Sequence, residues 1–179
     1  VIGWPLGLLV LLVALGAWRV GDERGETTAP PPEPVAPRAF GELRLDVPRA
    51  WRTLDRTSDH VTWGAADRSH TVTLASTEAS TLPLSAVVRE VARQSSQSVP
   101  GTRVVEGPTL LELGDRAPRD DAAALVRLEV VESGRRLDVV QVWRRDSRAG
   151  VDVVATWAST DGAWPLSPRD ALPRASGTR

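Results

Sequence analysis

The 179-residue sequence has no cysteine, methionine, tyrosine or lysine. Without cysteine there is no disulfide, thiolate metal site, thiol nucleophile or lipid-modified cysteine, so attachment to a membrane would have to come from a helix alone. Every basic residue is arginine, a bias that a GC-rich, actinobacterial genome explains more simply than chemistry does. An excess of charge is also missing. The chain carries 22 basic and 23 acidic residues; Arg19, Arg24 and Arg38, with Asp22, Glu23, Glu26 and Glu33, precede residue 39, and the remainder balances. A neutral domain has no electrostatic footprint for phosphates, so no nucleic-acid partner is expected.

Residues 1–18, VIGWPLGLLVLLVALGAW, are uncharged, and a helix of that length spans roughly 27 Å, close to a hydrocarbon core. No basic residue precedes the run and it ends in Trp18-Arg19, which favours an uncleaved transmembrane helix over a signal peptide. The lipid bilayer is therefore the first expected partner. Residues 19–38 collect prolines and acids that cannot build a core and form a linker. Arg19 and Arg24 on the C-terminal flank favour a cytoplasmic domain; their acidic neighbours and the Pro-rich stalk favour an extracytoplasmic one, which is the expectation adopted. The opening Val leaves both an alternative start and a preceding segment open.

Residues 39–160 are the size of one domain. Leu43, Leu45 and Val47 alternate with Glu42, Arg44 and Asp46, a half-buried strand stopped by Pro48, with Trp51 at its end. His60 to Gly64 and His70 to Thr77 read as a hairpin turning at 65–69. Leu84, Val87, Val88, Val91 and Ala92 recur at helical spacing, so Leu82 to Ser98 is an amphipathic helix, with Ser80 or Thr81 able to cap and Pro83 in the first turn. Arg103 to Leu113 forms a bent strand broken at Gly107-Pro108. Ala123 to Glu132, Arg136 to Arg144 and Val151 to Ala158 make an antiparallel meander. The last two are apolar on both alternating sets and need cover on both faces, from the tail 161–179 packing back or from another element. That tail, with Pro165, Pro168 and Pro173, reads as irregular.

The order strand-Pro-x-x-Trp (Leu45 to Arg52), hairpin, helix (Leu84 to Ala92) and meander ending in Gly150 to Trp157 resembles the PsbP/Mog1-like fold. With a single membrane helix and a Pro-rich stretch before it, the chain is similar to the C-terminal part of actinobacterial type VII secretion-associated proteins. The resemblance implies an α+β domain with an antiparallel sheet of about six to seven strands and a packed helix. It further implies a non-enzymatic interaction domain that contacts other secretion or envelope proteins.

The chemistry-bearing residues are few. A nucleophilic hydrolase needs a base, and only His60 and His70 are available. In Ser69-His70, neighbours on a strand point to opposite faces, so adjacency alone makes no dyad. His60 and His70, equidistant from a turn at 65–66, would face each other across the hairpin and are the weak candidates for a metal site, with Asp59 or Asp67 adding oxygen; an exposed cross-strand pair is the plainer account. No cofactor is expected. Trp143 and Trp157 read as core, whereas Trp51 and Trp164 are the candidates for partner binding. A cavity under the helix would favour a second reading, a binding module for a lipid, glycan or other small ligand. A hydrolase is the third.

Overall fold

The computed structural model describes residues 33–113, 121–132, 134–164, 166–169 and 171–175. The apolar segment 1–18 lies outside the described residues, as does the linker up to residue 32. Among the described residues no helix is long and apolar enough to cross a membrane.

Among the described residues, ten strands and one helix follow in the order β1 (Val35–Phe40), β2 (Leu43–Pro48), β3 (Arg52–Arg56), β4 (His60–Gly64), β5 (His70–Glu78), α1 (Leu84–Ser98), β6 (Thr102–Leu111), β7 (Ala122–Glu132), β8 (Arg135–Asp146), β9 (Val151–Ser159) and β10 (Arg174–Ala175). Seven strands form one antiparallel sheet in the order β3-β4-β5-β9-β8-β7-β6, and β1-β2-β10 form a smaller one. The expected meander is present as β7-β8-β9. Beside it β9 pairs with β5 over their full length, from His70↔Ser159 to Glu78↔Val151, which joins the early hairpin to the meander.

Two apolar layers sandwich the large sheet. On one face Leu84, Val88, Val91 and Ala92 of α1 pack against Ala124, Val126, Leu128, Val139, Trp143 and Val154. On the other, Leu43, Leu45 and Val47 of β2, with Trp51 and Ala171, cover Val61, Trp63, Val72, Leu74, Val140, Val142 and Trp157. The second cover is thus the small sheet together with the C-terminal segment 162–172, here called the strap. Its first strand begins at Val35, inside the range read as linker, and β10 lies inside the tail read as irregular. Backbone pairing with β2 recruits both, because hydrogen bonding to a neighbour satisfies backbone groups whatever the side-chain pattern.

The helix starts two residues later than its periodicity predicts. Pro83 occupies the cap position without a side-chain hydrogen bond, so neither Ser80 nor Thr81 caps it; Ser80 Oγ instead accepts from the Leu82 amide at 3.2 Å. A different device holds this end. Arg145 on β8 donates to both carboxylate oxygens of Asp152 on β9, each at 2.7 Å, and its remaining nitrogen donates to the Leu82 carbonyl at 2.7 Å. The Asp152 side chain is 1% exposed, so removing its partner leaves a charge stranded away from water. Arg145→Ala is expected to destabilise the domain by about 3 kcal/mol, measured by urea unfolding; a loss below about 1 kcal/mol, the scale of a surface pair, would contradict this account.

Candidate functional site

The two histidines do not meet. The hairpin turns around residues 67 and 68: Ala65 N–H donates to the His70 carbonyl at 3.0 Å, and Arg68 takes a left-handed φ of 60°. The register therefore pairs His60 with Ala75 and places His70 at the opposite end, beside the turn. Alternation also sends them to different faces, His60 with Ala75 toward the α1 side and His70 with Val72 and Leu74 toward the strap side. His60 Nε2 lies 2.9 Å from Asp55 Oδ2 and its Nδ1 3.1 Å from Thr57 Oγ1. Among the described residues no three metal-ligating side chains gather.

His70 belongs to a polar clasp. Its Nε2 lies 3.1 Å from Asp161 Oδ1 and 3.0 Å from the Ala163 carbonyl. Two acceptors facing one nitrogen place the proton there. Nδ1 is 2.8 Å from Ser69 Oγ, so the expectation that Ser69 and His70 diverge fails: β5 begins at His70, and Ser69, still in the turn, escapes strand alternation. Ser, His and Asp thus stand in a row. However, the single Ser69 proton has two acceptors, since Asp67 Oδ1 is also at 2.8 Å. Asp161 Oδ1 accepts further bonds from Ser159 Oγ at 2.6 Å and the Ala163 amide at 2.9 Å. What the row does mechanically is fix the start of the strap, where Gly162 has φ 71° and a Cβ would stand 2.8 Å from Asp138 Oδ2.

Beyond the clasp, the strap and the sheet enclose a cleft of about 330 Å³. Leu125 and Arg127 on β7, Val140 on β8 and Glu106 on β6 line the sheet side, and Gly162, Trp164, Ser167, Pro168 and Arg169 line the strap side. Arg169 Nη2 donates to Glu106 Oε1 at 3.2 Å, joining strap to edge strand. Trp164, half-buried, is the one residue singled out from sequence that lines this cleft. Trp51 is 4% exposed and packs its ring 6.0 Å from that of Trp157; so enclosed a ring has no surface to offer a partner, and it is core. The cleft also lies on the face opposite α1, not beneath the helix.

Neither a family model nor a curated protein matches the sequence. Solved structures do. The Ran-binding protein Mog1p of Saccharomyces cerevisiae aligns over 72% of this chain and 78% of its own, at 8% identity and a TM-score of 0.55. The fold is Mog1-like. A protein from Bacteroides thetaiotaomicron aligns over 75% of this chain and 45% of its own, at 8% identity and a TM-score of 0.50. LpqN of Mycobacterium tuberculosis, involved in cell envelope biogenesis, aligns over 72% and 79% at 17% identity, with a TM-score of 0.44, too slight a likeness to argue from. Identities this low establish the Mog1-like architecture and leave the chemistry to the site itself.

Burial works against the charge of Asp161, but the Ser159 hydroxyl, the Ala163 amide and His70 outweigh it and hold the carboxyl below its ordinary 3.8. A carboxyl depressed in the folded state stabilises fully above its unfolded value, and that contribution is lost as pH falls through the folded value. Amide exchange at Ala163, corrected for intrinsic rates and referenced to Val154 in the sheet, is expected to lose protection only below pH 3.8. In Asp161→Ala, which removes the acceptor, the protection should already be low at neutral pH. Equal Ala163 protection in both proteins at all pH values would sink the clasp.

Proposed function

We propose that this chain is a membrane-tethered, non-enzymatic binding domain displayed outside the cytoplasmic membrane and associated with type VII protein secretion. The observation that carries the binding role is the cleft between sheet and strap: an apolar floor with a few convergent polar groups, at the lower end of the volumes typical of ligand sites. The tether and the external placement draw on the uncharged run 1–18 and the Pro-rich stretch after it. The secretion association draws on the resemblance of the arrangement, an apolar run, a Pro-rich stretch and then this domain, to that family. Contact with other secretion or envelope proteins is favoured by a separate feature, the outermost strand β6 of the large sheet, where Val104, Val105 and Leu110 are exposed. An apolar edge strand invites a partner.

Hexan-1-ol, a neutral apolar probe, tests the cleft in the full chain held in lipid nanodiscs. Saturable NMR shifts are expected at Leu125, Val140 and Trp164, with Val88 on the opposite face unmoved. Shifts confined to the α1 face would overturn the reading. For the placement, protease added to intact cells is expected to digest residues 39–179, and complete protection until the cells are lysed would show the domain to be inside.

A further inference from the structure

The charges lining the cleft do not cancel. Two guanidiniums, Arg127 and Arg169, face one carboxylate, Glu106. Glu106 is engaged by Arg169 at 3.2 Å, a pair with both side chains partly in solvent. Arg127 stands directly across from Glu106 in the β6–β7 register and across from Val140 in the β7–β8 register. Its side chain nevertheless has no hydrogen-bond or ion-pair partner among the described residues. The other carboxylates on this face are taken: Glu129 accepts from Arg103 at 2.6 Å and pairs with Arg136 at 2.8 Å, and Asp138 accepts from Arg136 at 2.9 Å. The hydrogen bond from Arg103 is the main reason the Glu129 carboxyl is held below its usual range.

A half-buried guanidinium beside Leu125, Val140 and Trp164 has given up part of its hydration without a charge to replace it. Resting on the cleft reading above, we propose that the cleft binds a small monoanionic acid, its carboxylate on Arg127 and its apolar body against Leu125, Val140 and Trp164. The planar fork of arginine matches a carboxylate through two parallel N–H···O bonds. One surplus positive charge fits one negative charge, which favours a carboxylate over a phosphate dianion. The volume admits an apolar body of about six to ten carbons.

The test uses the full chain in lipid nanodiscs, with empty nanodiscs as the partition control, and reads the Trp164 indole N–H resonance, assigned by its loss in Trp164→Phe. Hexanoate is expected to bind about tenfold more tightly than hexan-1-ol, the scale of a charge-assisted hydrogen bond. Hexylamine should bind more weakly than either. Arg127→Gln should bring hexanoate down to the affinity of hexan-1-ol while leaving hexan-1-ol unchanged, which reports an intact cleft. Saturable hexan-1-ol binding with hexanoate no tighter would overturn the assignment of an acid and leave the cleft as a site. Hexyl phosphate binding more tightly than hexanoate would overturn the single charge. No saturable shift from any of the probes would overturn both the acid and the cleft reading.

Discussion

Strands β8 and β9 lie at the centre of the large sheet and are apolar on both faces. Val139, Trp143, Val154 and Ala158 point to one side and Val140, Val142, Val153, Ala155 and Trp157 to the other. A sheet of this kind cannot leave either face to water without exposing a continuous apolar layer. One helix meets that demand on the first side. The second is met by pieces drawn from both ends of the described chain: β1 and β2 from its start, and the strap and β10 from its close. The architecture of the domain follows from the need to cover that second face.

The two covers differ in character. Helix α1 lays a regular apolar stripe on the sheet, and Arg145, paired with Asp152, holds the chain at Leu82 just before the helix begins. The strap has little regular structure and is held at points, by the clasp at His70, Asp161 and Ser159 and by Arg169 on Glu106. Point attachment leaves space between the fastenings. The cleft occupies that space, which is why the Mog1-like sheet has a recess on this side.

Much of the fold was legible because burial on one or both faces writes itself into residue alternation. Leu43, Leu45 and Val47, the stripe on α1 and the three meander strands were all read this way, and the doubly apolar strands correctly demanded a second cover. Strand β3 was not legible, since Arg52 to Arg56 is largely exposed and polar and is defined by pairing to β4 alone. Strand β1 was hidden by Pro37 and by proximity to the Pro-rich stretch. In the site, the near-absence of aromatics other than tryptophan drew attention to Trp164, but Arg127, Glu106 and Arg169 look like any surface charges in the sequence. They converge only when the strap folds back over the 63 positions that separate Glu106 from Arg169. The histidine register failed on a smaller matter: a turn centre displaced by two residues, set by the backbone at Ala65 and Arg68, carries His60 away from His70.

Strand β2 lies between β1 and β10, so the chain's entry into the domain and the end of its strap share one three-stranded unit. A pull on the chain upstream of Val35 is delivered first to the β1–β2 hydrogen bonds, and only through β2 to the strap and the large sheet. The small sheet is therefore the first unit that such a load meets. Load arriving from that side would loosen the roof of the cleft while β5, β9 and β8, paired deep in the sheet and clamped by α1, kept their register. Force applied there would therefore reach the lining of the cleft before it reached the centre of the large sheet.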